Sequence, residues 1–202
     1  MARLFHVPLS PFCRKVKLLI AELERTELVE IIPALGNPVA PGSMPLAENP
    51  LGKIPCLIQD SMPALYDSRV ICRYLNDLWD GGLYPTGPAL WSTLTLEATA
   101  DGMMEAAVLV IYEGRCREEG ERSEAWVVAQ KDKISRALQA LEARWLSHLA
   151  GPVDMGVLGV AAALGYLDFR MPDWDWRGGH PGLATWYDAF AKRPAMLSTQ
   201  PQ

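Results

Sequence analysis

Ser10, Cys13, Lys53, Asp67 and Ser68 are the side chains of this 202-residue chain that local sequence best places to handle an anion or a thiol. Ser10 stands directly before Pro11, a hydroxyl N-cap followed by proline at the first helical position. The first turn of a helix exposes unpaired N–H groups at the positive end of its dipole, so a thiolate at Ser10 would be stabilised. A thiol of pKa near ~8.5 is mostly protonated at neutral pH, and lowering it by about two units takes roughly 2.7 kcal/mol. One charge-assisted hydrogen bond of about 1.5–3 kcal/mol, with a helix end worth up to ~2 kcal/mol, supplies that amount. As a cap alone, Ser10 would need no ligand. Ser10-x-x-Cys13 has the spacing of a redox dithiol whose first cysteine is replaced, which removes dithiol exchange. Cys13 lies three residues before Val16 on the apolar stripe of the same helix and reads as a small buried residue. A secondary thiol able to form a mixed disulfide is its alternative role. Asp67-Ser68 opens another helix, where the pair can act as plain caps or hold a carboxylate and an ammonium.

The elements that must position these residues follow from periodicity. Residues 3 to 7 read as a strand closed by Pro8, and Val16, Leu19, Ile20 and Leu23 form one face of the helix after Ser10. Leu28 to Ile32 is a β-branched second strand, so the first unit is βαβ with a parallel pair. Five prolines between 33 and 50 mark a loop. Ile54 to Ile58 and Met62 to Tyr66 flank Gln59-Asp60-Ser61 as a hairpin, and Val70, Ile71, Tyr74, Leu75 and Leu78 mark a helix. The first 79 residues thus spell β-α-β-loop-β-β-α. The Gly- and Pro-rich stretch 80–88 is a linker, and 89–202 is all-helical, with helices near 89–118, 123–149, 154–169 and 181–192. Ile134, Leu138, Leu141 and Trp145 give the second of these a heptad-like face.

Composition narrows the function. Half the residues are hydrophobic and the net charge is −5, which argues against a nucleic-acid partner. Arg3, Arg14, Lys15 and Lys17 give the first 20 residues +4 and leave −9 for the rest, a basic patch suited to a small anion. The longest helical-looking uncharged run, Met155 to Leu167, has 13 residues, too few to cross a bilayer, so no membrane role is expected. Pro8 and Pro11 interrupt any signal-peptide core, and four cysteines without a CxxC pair read as reduced thiols, so the expected location is cytoplasmic. His6, His148 and His180 are isolated and make no metal motif; GxSxG, P-loop and GxGxxG patterns are missing too. Trp174 and Trp176 read as packing of the chain end or as a wall of an apolar pocket.

The helix start Ser10-Pro-Phe-Cys13, then Asn49-Pro-Leu-Gly-Lys-Ile-Pro-Cys-Leu57, then Leu65-Tyr-Asp-Ser-Arg-Val-Ile-Cys-Arg-Tyr-Leu75, in this order, closely resemble the cytosolic glutathione S-transferases, in a serine-type, bacterial branch. Gly165-Tyr-Leu-Asp-Phe-Arg170 and Lys192-Arg-Pro-Ala-Met196 extend the resemblance to the whole chain. It implies a thioredoxin-like glutathione-binding domain at 1–79, a helical domain at 89–202, and a cytoplasmic homodimer with a detoxifying conjugation activity. On this resemblance Ser10 donates to the glutathione sulfur, while Phe12, Lys53, Ile54, Pro55, Asp67 and Ser68 bind glutathione, with no metal. Pro55 would be cis, Lys53 would meet a carboxylate, Ser68 the γ-glutamyl carboxylate and Asp67 its ammonium. The co-substrate is a small hydrophobic electrophile, and Met103, Met104, Val108 and Tyr112 are the expected pocket edge. Reductive dehalogenation, peroxide reduction, isomerisation, thiol reduction, or glutathione binding without catalysis are the other activities this resemblance leaves open. The family opens its central buried helix with Ser/Thr-x-x-Asp; here the matching positions are Asp154 and Val157, so half the capping box is missing.

Overall fold

A computed structural model describes residues 1–60 and 62–201; Ser61, the last residue of the expected hairpin turn, lies outside them. The chain divides into two compact units. One comprises residues up to Tyr84 together with the segment from Pro194 onward, and the other runs Pro85–Arg193.

In the first unit, β1 (Ala2–His6), α1 (Pro11–Glu22), β2 (Val29–Pro33), β3 (Cys56–Gln59), β4 (Met62–Leu65) and α2 (Ser68–Leu78) follow the expected order. The four strands lie in the order β2-β1-β3-β4. β1 and β2 are parallel, Ala2 opposite Val29, while β3 runs antiparallel to both β1 and β4. This is the thioredoxin-like arrangement. α1 buries Val16, Leu18, Leu19 and Ile20, and α2 buries Ile71, Cys72 and Leu75. Full burial of each such aliphatic side chain contributes about 1.5–3 kcal/mol. The face of α2 differs from the expected one: Val70 and Leu78 are 46% and 51% exposed. The helix spans three turns; Val70 lies across it from the stripe through 71, 72 and 75, while Leu78 continues that stripe but is exposed at the last position of the helix.

Two boundaries also move. Leu83 and Tyr84, counted with the linker, are buried, and the Asn76 side chain accepts the Leu83 N–H at 2.8 Å. The segment after Pro194, counted with the helical half, forms α8 (Pro194–Ser198), which packs on α1 in the first unit. Arg14 ties it there by donating from Nη2 to the Met196 carbonyl at 3.3 Å.

The second unit holds α3 (Ala89–Cys116), α4 (Glu124–Ala140), α5 (Leu146–Leu149), α6 (Met155–Arg170) and α7 (Pro181–Phe190). The expected continuous helix 123–149 is interrupted by a π-turn at Leu141–Trp145, whose wider winding breaks the heptad and leaves Trp145 half-buried. α6 is buried from Met155 to Leu167 and packs on α3. Glycine permits the approach: a Cβ on Gly156 would lie 2.9 Å from both the Leu96 Cβ and the Thr93 carbonyl oxygen. Asp154 caps α6 by accepting the Val157 N–H at 2.9 Å. Its other oxygen accepts from the Thr93 hydroxyl at 2.5 Å and pairs with His148 Nε2 at 2.8 Å. Thr93 and His148 thus hold the capping carboxylate in place, while the reciprocal bond of a capping box, which Val157 cannot make, stays absent. Trp176 is buried, donating to Asp168 at 2.8 Å with its ring edge-on to Tyr187, which makes it a packing residue. No helix is long and apolar enough to cross a membrane among the described residues.

Candidate functional site

Strand register collects the expected residues of the first unit at one end of its sheet. β1 ends at His6 and leads to Ser10; Phe5 pairs with Cys56, so β3 begins at that same end, directly after Pro55. Leu57 pairs with Leu65, so β4 finishes there too and delivers Asp67 and Ser68. Ser10 and the start of α2, which follow β1 and β4, and the Ile54–Pro55 step, which precedes β3, therefore flank three adjacent strands at one end of the sheet, where chain segments far apart in sequence converge.

Ser10 is half-buried in extended backbone (φ −87°, ψ 124°) at the mouth of α1. Its Oγ accepts the Cys13 N–H at 3.3 Å, a long bond for this donor. Accepting leaves the hydroxyl proton available for donation to something else. Phe12 is half-buried beside it, and Cys13 is fully buried. Burial pushes the Cys13 thiol up to about 11, against smaller opposing effects of the Val7 backbone, the Ser10 side chain and the Lys17 charge. A thiol that is both enclosed and protonated gives no opening to mixed-disulfide chemistry.

The Ile54–Pro55 peptide is cis. Before it, the buried Asn49 holds the loop at both ends: its amide donates to the Lys53 carbonyl at 2.8 Å and accepts the Leu51 N–H at 3.1 Å. Ile54 lies outside β3, and among the described residues no partner takes its backbone N–H or C=O. An extended ligand can pair with those groups as an added strand. The Lys53 side chain is exposed. Asn49 is a positioning residue whose role is invisible in its motif; the Asn-Pro pair signals only a turn.

Asp67 caps α2, accepting the Arg69 N–H at 2.9 Å, and its Oδ2 pairs with the Arg69 guanidinium at 2.9 Å. Partial burial pushes the Asp67 carboxyl up, but the Arg69 hydrogen bonds and the charges of Arg69 and Lys15 outweigh it and hold it below the usual carboxylate range. Ser68 is buried at the first position of the helix. The basic patch needs correction: Arg14 and Lys15 are buried, Lys15 completely, and only Arg3 and Lys17 reach the surface. Both buried cations lie on α1, and the Lys15 charge acts on Asp67 rather than on solvent.

In the helical unit the expected pocket edge divides. Met103 and Met104 are 2% and 1% exposed, so they belong to the core. Met103 continues the α3 stripe through Leu96 and Ala100 that faces α6. Val108 and Tyr112 are half-buried. Burial raises the Tyr112 and Tyr166 hydroxyls above their ordinary range, and Arg170 bonds to Tyr166 and opposes the shift. No disulfide joins Cys13, Cys56, Cys72 and Cys116. Among the described residues, no group of three or more His, Cys, Asp or Glu is placed to hold a metal.

Residues 4–81 match the glutathione S-transferase N-terminal domain, and residues 120–189 match the glutathione S-transferase C-terminal domain. A glutathione transferase family member from Pseudomonas fluorescens Pf-5, solved with bound glutathione, is 46% identical over the full length of both chains, with a TM-score of 0.97. That relative has also been solved with S-(propanoic acid)-glutathione. A glutathione S-transferase from Methylobacillus flagellatus KT, with glutathione bound, is 32% identical over both full chains at a TM-score of 0.89. The uncharacterized GST-like protein YibF of Escherichia coli K12 is 29% identical over 95% of each chain. With both halves matched in order, and with a fold built on the same strand and helix sequence, the chain belongs to the glutathione S-transferase family.

Proposed function

We propose that this protein is a glutathione transferase in which Ser10 and the first turn of α1 stabilise the glutathione thiolate for attack on an electrophilic carbon. The observation that carries this reading is the half-buried Ser10 hydroxyl, which accepts weakly from Cys13 at the helix mouth and retains a proton to donate. The unpaired backbone of Ile54 would receive the cysteinyl unit as an added strand, Ser68 the γ-glutamyl carboxylate, Asp67 its ammonium, and exposed Lys53 the other carboxylate. Phe12 would cover the ligand from the α1 side. The glutathione complexes of the Pseudomonas and Methylobacillus relatives support the ligand.

In the reaction, the ionised sulfur forms a bond to carbon while the acceptor's leaving group departs with its electron pair, or an adjacent carbanion takes a proton from water. The Pseudomonas relative's S-(propanoic acid)-glutathione is such an S-substituted species and supports carbon attack over thiol reduction. The buried, protonated Cys13 also weighs against a reductase. A hydrophobic electrophile, a homodimer and a cytoplasmic setting complete the reading. Its test is glutathione titrated across pH 5 to 9 while the ultraviolet thiolate band is followed. Ionisation well below the free thiol's pKa supports a transferase; binding without ionisation makes this a glutathione-binding module, and no binding overturns both.

A further inference from the structure

In the second unit α3 and α6 run side by side in the same direction: Thr93 meets Asp154, Leu96 faces Gly156 and Ala100 faces Gly159. From the last of these contacts α3 continues to Tyr112 and α6 to Arg170, about 18 Å and 17 Å further at ~1.5 Å per residue. Tyr112 therefore stands level with Arg170 at the C-terminal end of the pair, with Arg115 one turn beyond it and Tyr166 one turn before Arg170. Arg115 is exposed and Arg170 half-buried, and neither forms an ion pair with any described residue. The carboxylates two residues before each are engaged elsewhere, Glu113 with Arg117 and the Ser123 N–H, Asp168 with Arg177 and the Trp176 indole. Arg170 hydrogen-bonds the Tyr166 hydroxyl, and its guanidinium carbon lies 5.1 Å from the Phe169 ring centroid. Its Nε is nonetheless buried with no hydrogen-bond partner among the described residues. No described residue hydrogen-bonds the Tyr112 hydroxyl. Burial above all raises both phenols, so each keeps a proton to donate.

We propose that this end of the α3–α6 pair is a binding site for an organic carboxylate, in which Arg170 pairs with the carboxylate, Arg115 adds a second positive charge and the Tyr112 hydroxyl donates. A guanidinium matches the planar carboxylate with two parallel N–H groups, and a negative charge beside Arg170 offsets the cost of its partly buried, unmatched cation. Half-buried Val108, one turn before Tyr112, and the two phenol rings supply apolar surface for the rest of such a ligand. The site lies wholly within the second unit and stands whether or not the first unit activates glutathione. Its consequence for the reaction does rest on the transferase reading: the co-substrate is then an electrophile with a carboxylate on its apolar body.

The experiment is a calorimetric titration of the full chain with benzoate, and with benzamide as its uncharged isostere, both without glutathione. Benzoate is expected to bind at least about tenfold more tightly than benzamide, the discrimination of one charge-assisted pair. Arg170→Met is expected to abolish this preference, Arg170→Lys to keep part of it, and Tyr112→Phe to weaken benzoate about threefold or more while leaving benzamide unchanged. Thermal melts establish that each variant is folded, and Tyr112→Phe decides the matter if Arg170→Met is not. The proposal is overturned if the two probes bind equally, if benzoate at about 10 mM shows no binding, or if the preference survives in Arg170→Met or the affinity for benzoate in Tyr112→Phe. The glutathione thiolate titration is a separate measurement, so failure of the transferase reading leaves every one of these outcomes readable.

Discussion

Replacing Ser10 separates its two roles, because alanine and glycine remove the same hydroxyl but treat the helix end differently. Alanine at an N-cap costs about 0.5–2 kcal/mol of stability, whereas glycine costs only a few tenths. The Cys13 N–H meets Ser10 Oγ at 3.3 Å, so the capping loss here belongs at the lower end, about 0.5–1 kcal/mol. The bond to a thiolate is the larger quantity, about 1.5–3 kcal/mol for a charged acceptor. Divided by about 1.4 kcal/mol per unit, its loss raises the bound glutathione thiol by roughly one to two pKa units. Both variants should show this shift, with turnover falling about 10- to 150-fold below the new midpoint. Glutathione affinity should change little, since the backbone of Ile54 and the start of α2 are untouched. Urea unfolding reads the capping role and thiolate absorbance reads the other. A Ser10→Gly protein whose bound thiol ionises at the wild-type pH would refute the assignment, and an equal loss of affinity and turnover would refute the division of roles.

His6 makes the protein acid-sensitive. Its folded-state pKa near 4 lies below the ordinary 6.5, so the unfolded chain binds more protons between these values. Stability from this group is complete above about pH 6.5, falls as the pH drops towards 4, and is then flat; the total is about 3 kcal/mol, measured as the difference in urea stability between wild type and His6→Gln at pH 7 and pH 4.5. Gly156→Ala should cost about 1–3 kcal/mol, because its Cβ would sit 2.9 Å from the Thr93 carbonyl oxygen. Gly159→Ala meets the Ala100 Cβ at 3.2 Å and gains about 1 kcal/mol of helix propensity, so it should be near neutral in thermal melts; equal losses in the two variants would contradict the packing of α3 on α6. Asp154→Ala should destabilise by about 2–4 kcal/mol, from the lost cap plus the stranded Thr93 and His148, with Asp154→Asn recovering part of it in denaturant titrations.

Local chemistry made the strands, the start of α1 and the start of α2 legible, because proline placement, capping residues and apolar period act over a few neighbours. Ser10 before Pro11 and Asp67 before Ser68 are caps whatever the rest of the chain does, and both cap in the structure. Side-chain environment was less legible. Lys15 reads as a surface cation, yet it is fully buried, since its surroundings are set by packing and not by its neighbours in sequence. Met103 and Met104 looked adaptable and available, and packing made them core. The capping carboxylate of Asp154 is held by Thr93 and His148 from other elements, which its half capping box did not announce. The return of α8 to the first unit has no local signature at all; it depends on a buried arginine finding the Met196 carbonyl 182 residues away. What the sequence determined alone was the list of elements and the chemical groups at their ends. The tertiary structure decided which of those groups stay reachable, because burial and strand register are properties of the assembled chain.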